Sequence, residues 1–305
     1  MSQEPDLSVN FAGLTLTSPV MPACGTFELT SKPDFDANQI GAFIPKSISM
    51  NKHSKEQASS IFEAEGSMLN SVTFQSEDIE YFEARVLPVY EPYQPPLIIN
   101  LSGETVDEFA QTAEKLNKWD KIAGFEINLS CPNSDDNRQV FGLLSESTYS
   151  LIRKIRNVTD KPLIAKLSPS VSRIQEITLA AEQGGADAFT VANAYSAMSI
   201  DINTRKPKLG NVIGTLSGSA IKPLIVRLIF QVHQISHLPI IGSGGVMTGS
   251  DAIEMLLAGA AAVQVGTANY RNPAAMIEII NQIRDYLMRE DIHSVSSLIG
   301  QVDLS

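Results

Sequence analysis

The stretch AAEQGGADAFTVAN, residues 180–193, contains the junction on which the fold turns. Its first residues finish the helical pattern SRIQEITLAAEQGG (172–185), whose apolar side chains fall three and four apart. Gly184 and Gly185 stop that pattern as glycines near a C-cap do. The run AFTVAN (188–193) then follows, too short and too continuously apolar for an amphipathic helix. It suits a strand buried on both faces of a parallel sheet. The same helix–glycine–strand device returns where SDAIEMLLAGAA (250–261) passes through Gly259 into AAVQVGTA (261–268).

Outward from this unit, further apolar runs recur: PVMPA (19–23), GAFIPKSI (41–48), PLIIN (96–100), GFEINLS (124–130), PLIAKLS (162–168) and LPIIGSGG (238–245). Helical patterns TVDEFAQTAEKLNK (105–118), IKPLIVRLIFQVHQI (221–235) and PAAMIEIINQIRDYL (273–287) lie among them. Eight strands alternating with helices indicate an α/β fold, a (β/α)8 TIM barrel forming one domain over 1–305. A doubly wound open sheet is the runner-up, but no G-x-G-x-x-G follows the first strand. No linker, repeat block or low-complexity tract divides the chain.

Composition narrows the function classes. Of 305 residues, 43% are hydrophobic and 19% charged, an ordinary globular mixture, with 23 basic against 34 acidic residues. A net charge of −11 argues against sequence-independent nucleic-acid binding, which needs a basic footprint. The only cysteines, Cys24 and Cys131, make no disulfide framework and cannot build a metal site alone, so none is expected. The N-terminus MSQEPDLSVNF has no signal-peptide core, and no apolar run approaches a membrane helix. A cytoplasmic protein without membrane contact is expected.

In a barrel of this kind the chemistry gathers at the C-terminal ends of the strands. Lys46, Asn100, Asn128, Lys166 and Asn193 each close a run, with no Asp or Glu among them. One such Asn is commonly a turn or cap residue, but five strands ending in Asn or Lys fit that reading poorly. Neutral donors and acceptors with two cations suit a flat, polar, partly anionic ligand rich in ring heteroatoms, as a flavin is. GSGG (242–245) and VGTAN (265–269) place glycines and a threonine after strands seven and eight, where backbone N–H groups hold a phosphate.

Cys131 follows the fourth strand. A lone cysteine there is most often a small buried hydrophobe. The alternative is a base or nucleophile on the loop SCPNSDDNRQVFG (130–142), which reads as a lid over the ligand. An unperturbed thiol, with pKa near 8.5, can take a weakly acidic proton without being permanently ionised. Nothing here supplies an acyl-transfer partner, the four histidines (53, 233, 237 and 293) lying elsewhere, so proton abstraction is the more economical reading.

With these residues in place, the chain resembles class 1 dihydroorotate dehydrogenase from about residue 8 to 299. INLSCPN, AKLSP, DINTRKPKL, LSGSAIKP, IIGSGGV and VGTANYRNP occur in family order and spacing. The type that works with an FAD/iron–sulfur electron-transfer subunit is the most similar. The resemblance implies FMN as cofactor and oxidation of dihydroorotate to orotate in pyrimidine biosynthesis. It also implies a homodimer, with NAD reached through the partner subunit or, in the other class 1 type, fumarate as direct oxidant. Cys131 then corresponds to the catalytic base and Lys166 to the lysine that stabilises charge on the reduced flavin. FMN contacts fall on Ala23, Cys24 (where the family usually has Ser), Gly25, Lys46, Ser47, Asn100, Asn128, Lys166 and Val191. The phosphate cradle falls on Gly218, Gly244, Gly245, Gly266 and Thr267. Substrate contacts fall on Lys46, Asn70, Asn128, Asn133 and Asn193.

The chain departs from the family around the substrate. NSVTFQS (70–76) carries Thr73 for a glycine, Phe74 for Leu and Ser76 for Asn. Ala194 stands for a Thr or Ser, and the loop KEQASS (55–60) puts Ser60 where the family has Arg, unless Lys55 or a shifted loop compensates. Each lost hydrogen bond to a charged group costs about 1.5–3 kcal/mol. Two further readings therefore stand beside dihydroorotate oxidation. One is a related FMN-dependent enzyme acting on a C=C or CH–CH bond of a different cyclic substrate. The other is a flavin-binding barrel with little catalysis.

Overall fold

Most of the apolar runs become strands because both of their faces are covered, by the barrel interior on one side and by helices on the other. In the computed structural model, which describes residues 4–29, 33–51, 61–64, 66–71, 76–136 and 139–305, eight parallel strands follow in order. They are β1 Val20–Pro22, β2 Ile48–Ser49, β3 Leu97–Leu101, β4 Ile122–Asn128, β5 Leu163–Lys166, β6 Ala188–Val191, β7 Ile240–Ser243 and β8 Ala262–Val265. Each from β2 to β7 pairs in parallel with its successor, and β8 pairs with β1.

The ring is closed by the segment that leads into β2. Gly41 donates its N–H to the Val20 carbonyl (2.8 Å), Phe43 donates to Pro96 (2.9 Å) and Ile98 donates to Phe43 (2.9 Å). The chain passes so near β1 that a Cβ on Gly41 would run into the Ser18 carbonyl oxygen. The expected strand 41–48 is therefore two pieces, an isolated bridge at Phe43 and the short β2. Pro45 between them has no N–H to give a ladder.

The helices are α1 Val106–Asn117, α2 Ser145–Arg156, α3 Ile174–Gly184, α4 Lys222–His233, α5 Gly249–Leu257, α6 Thr267–Arg271 and α7 Ala275–Arg289, with helical turns over 79–90 after β2. Their ends have local causes. The Thr105 side chain accepts from Glu108 N–H, Thr248 and Asp251 form a capping box, and Gly185 takes the left-handed φ of 105°. Helix α2 was not anticipated, because its buried Leu151, Ile152 and Ile155 crowd into its second half behind a polar first turn.

Two long excursions meet above the strand ends. Ile61–Ala64 and Ser67–Asn70 after β2 join Tyr195–Ala197 and Gly214–Ser217 after β6 in a four-stranded antiparallel sheet. Thr215 pairs with Asn70 and Ser217 with Met68. Among the described residues no helix is long and apolar enough to cross a membrane.

Candidate active site

The strand termini and the four-stranded roof enclose a cleft of about 1000 Å³, counted with its open mouth. Its floor is polar. Asn100 ends the apolar part of β3, Asn128 and Lys166 are the last residues of β4 and β5, and Gln264 lies on β8. The in-register pairing of Lys166 with Asn128 and with Thr190 sets these side chains side by side.

Beneath the floor lies Glu126, fully buried inside the barrel. Its Oε1 accepts from Asn100 Nδ2 (2.6 Å) and Lys166 Nζ (3.1 Å), and its Oε2 accepts from Gln264 Nε2 (2.6 Å) and Thr190 Oγ1 (2.7 Å). Burial pushes this carboxyl up, but the Lys166 ammonium and the Thr190, Gln264 and Asn100 donors outweigh it and hold it below the usual carboxylate value. Lys166 also donates to Gln264 Oε1 (3.2 Å). The chain of contacts continues from Asn100 to the cleft wall: Ser47 Oγ donates to Asn100 Oδ1 (2.6 Å) and lies 3.2 Å from Cys24 Sγ. Burial pushes the Cys24 thiol up to about 11, against the pull of Lys166.

Toward the roof, Asn193 Nδ2 donates to Asn128 Oδ1 (3.0 Å), while Asn193 Oδ1 accepts from the Ala194 N–H (2.8 Å). Asn70 Oδ1 accepts from Thr215 Oγ1 (3.2 Å). Lys46 Nζ pairs with Glu77 (3.1 Å) at the edge.

The opposite end has the form of an anion cradle. Gly244 and Gly245 take φ of 125° and 85°, and a Cβ on Gly245 would lie 2.7–2.9 Å from Lys222 atoms. Among the described residues no acceptor faces the N–H of Gly244, Gly245 or Thr267. Thr267 Oγ1 donates to Ser217 Oγ (2.9 Å), and the Tyr270 hydroxyl donates to the Gly25 carbonyl (3.3 Å) across the mouth.

Of the residues singled out from the sequence, Ala23, Cys24, Gly25, Lys46, Ser47, Asn70, Asn100, Asn128, Lys166, Asn193, Gly244, Gly245, Gly266 and Thr267 line this one cleft. Four do not. Val191 is fully buried in β6. Gly218, with φ 100°, makes its close approach to the turn at Gly66–Ser67, and its neighbours Ser217 and Ile221 form the cleft wall there. Asn133 sits in a two-stranded hairpin with Gln139, its Oδ1 accepting from Asp135 N–H (3.1 Å).

Cys131 stands at the base of that hairpin, where its carbonyl accepts from Phe141 N–H (3.1 Å). The residue is partly exposed, yet enough protein surrounds its sulfur that burial pushes the thiol up to about 12, against a hydrogen bond from the Gly103 backbone.

Ala194 lines the cleft, and Ser76 turns away from it to Ser49 (2.6 Å between hydroxyls). Thr73, Phe74, Lys55 and Ser60 lie outside the described residues. Sequence reasoning missed Glu126, Thr190 and Gln264, although a single carboxylate inside the run GFEINLS was a usable signal.

The family model described as dihydroorotate dehydrogenase matches residues 6–287. The chain is 41% identical over 304 residues to the dihydroorotate dehydrogenase B (NAD(+)) catalytic subunit of Geobacter metallireducens, covering 99% of this chain and 100% of that protein. It is 39% identical over 301 residues to the subunit of the same name from Bacteroides fragilis, covering 98% and 99%. The crystal structure of the dihydroorotate dehydrogenase of Eimeria tenella in complex with ferulenol superposes with a TM-score of 0.79 at 22% identity, over 97% of this chain and 88% of that one, a likeness of fold.

Proposed function

The chain belongs to the dihydroorotate dehydrogenase family, and from that premise we propose that it oxidises dihydroorotate to orotate with FMN as its resident cofactor. The whole chain, 1–305, works as one barrel domain. The observation that carries this reading is the convergence of the Lys166–Asn100–Gln264 floor, the Asn128–Asn193 pair and the Gly244–Gly245 cradle on one cleft.

The residues fit the cofactor. The cradle offers backbone N–H groups where a phosphate is needed, and a Cβ at Gly245 would collide with the Lys222 backbone and displace it. The floor offers amides, a hydroxyl and one ammonium to a heteroaromatic ring. Ala23, Cys24, Gly25, Lys46, Ser47, Asn100, Asn128 and Lys166 would hold the ring, with Val191 backing it. Gly244, Gly245, Gly266 and Thr267 would hold the phosphate, with Gly218 shaping the adjoining turn. FMN bound there supplies the hydride acceptor.

The chain's own groups do the rest. Asn70, Asn128 and Asn193, with Lys46, hold the substrate ring and its carboxylate, and Asn133, paired with Gln139, adds a further amide. Cys131 takes the proton from the ring carbon. Lys166, itself buried, offers an ammonium to the charge that develops as electrons arrive.

The names of the relatives, catalytic subunits of an NAD(+) enzyme, support a separate electron-transfer subunit; we assign it FAD and an iron–sulfur centre. A homodimer in the cytoplasm is the assembly we propose. Ile200 (52% exposed), Ile202 (86%) and Ile213 (55%) beside the roof offer apolar surface for a second copy. A second reading, oxidation of a different cyclic substrate, is favoured by one observation: Ala194 presents a methyl group to the cleft beside Asn193.

Anaerobic mixing of the FMN-loaded protein with L-dihydroorotate tests the choice. Bleaching of the flavin band within seconds is expected. A flavin that dithionite reduces but dihydroorotate does not would overturn the substrate and leave the cofactor.

A further inference from the structure

The Glu126 carboxylate takes no part in the chemistry described so far, yet it is fully buried and both of its oxygens are bonded. Each of its oxygens accepts two hydrogen bonds, at 2.6–3.1 Å, from four different strands. Three of the four donors, Asn100, Lys166 and Gln264, also line the cleft.

A carboxylate can only accept, so it dictates which way each donor faces. Asn100 must turn its amide nitrogen down to Glu126, which leaves Oδ1 to accept from Ser47. Ser47, having spent its proton there, can only accept from the Cys24 thiol, 3.2 Å away. Gln264 likewise turns its nitrogen to Glu126 and its Oε1 to Lys166. Two of the three Lys166 protons are thereby committed, one to Glu126 and one to Gln264. One remains for the cleft. The same carboxylate cancels the lysine's charge, so the pair places a dipole, not a bare cation, beneath whatever occupies the floor.

We propose that Glu126 is the positioning residue of the cofactor site: it orients the floor donors and, as the counter-charge of Lys166, sets the two-electron reduction potential of the bound flavin. This rests on the FMN reading above. A buried ion pair that serves only to hold the barrel together would change stability on mutation and leave the potential where it was. An electrostatic role fixes opposite signs for the two partners. Removing the negative charge in Glu126→Gln favours the electron-rich reduced flavin, and removing the positive charge in Lys166→Met disfavours it.

The test is the potential of the FMN-loaded proteins at pH 7, measured anaerobically by equilibration with reference dyes. Glu126→Gln is expected to raise it by at least a tenfold change in the two-electron equilibrium, about 30 mV. Lys166→Met is expected to lower it by at least as much, and the double variant Glu126→Gln/Lys166→Met to lie between the two. A Glu126→Gln potential equal to wild type, or single variants that move the same way, overturns the proposal. Should Glu126→Gln alone fail to fold because it leaves Lys166 unpaired, the comparison passes to Lys166→Met with and without Glu126→Gln. A rise on adding the second change supports the proposal, and no rise overturns it. A wild-type protein that takes up no FMN would overturn the proposed cofactor first, an outcome distinct from FMN bound at an unshifted potential.

Discussion

Raising the pH should accelerate flavin reduction by dihydroorotate steeply if Cys131 is the base. Its thiol is pushed up to about 12 by burial, with Glu108 and Glu104 adding to the rise and the Gly103 backbone opposing it. At pH 7 such a thiol is ionised about once in 10⁵, which places the thiolate about 7 kcal/mol uphill at 1.36 kcal/mol per pH unit. Each pH unit below 12 therefore multiplies the active fraction about tenfold. Stopped-flow mixing of the FMN-loaded protein with L-dihydroorotate, from pH 6 to 9 at saturating substrate, should show the rate constant rising about a thousandfold without a plateau. Cys131→Ser should lower the rate at every pH by at least about a hundredfold, because a hydroxyl ionises less readily, and should leave FMN bound. A rate independent of pH, or Cys131→Ser with the wild-type rate, would remove Cys131 as base. A plateau with a midpoint near 8.5 would show that the enclosed thiol behaves as an ordinary one, and the argument from burial would fail.

Asn193→Ala removes the amide that links Asn128 to the Ala194 N–H; orotate should bind about ten- to a hundredfold more weakly, at 1.5–3 kcal/mol for a bond to a charged group, in a titration of the flavin spectrum that leaves FMN affinity unchanged. Gly245→Ala puts a Cβ against the Lys222 backbone at a φ of 85° and should weaken FMN binding at least about tenfold, read from quenching of flavin fluorescence. Cys24 and Cys131 keep their protons to about 11 and about 12 in the folded chain, against about 8.5 for a free thiol. The folded state therefore binds more protons above pH 9, and stability is lost as pH rises from there toward 11, by at most about 1.4 kcal/mol per thiol per pH unit. Urea unfolding of wild type and Cys24→Ala/Cys131→Ala over pH 8–11 should show a shallower decline in the variant.

What could be read beforehand depended on how local its cause was. The helix–strand junctions at Gly185 and Gly259 are written in adjacent residues, and both glycines take the left-handed conformation that their position demands. The strand-end amides and lysines were legible because parallel strands place their last residues on one rim. The roof was not, since its strands are three or four residues long and Asn70 meets Thr215 across 145 residues of chain. Helix α2 hid behind its polar first turn. Glu126 went unread, because its four partners come from four other segments and only the closed barrel brings them together. Gly218 makes its close approach to the turn at Gly66, a contact between distant segments that local sequence does not show.

The roof has a consequence for local stability. Its antiparallel ladder joins a segment after β2 to one after β6, and Thr267 after β8 fastens to it through Ser217. Contacts of such sequence separation are the last to repay the loss of chain freedom. The ladder joins two excursions whose bases the strand ends hold, so the upper wall of the cleft depends on its floor. Amide hydrogens of Ser67–Asn70 and Gly214–Ser217 should accordingly exchange through openings that leave β4, β5 and β6 protected. A ligand bridging wall and floor would slow that exchange first.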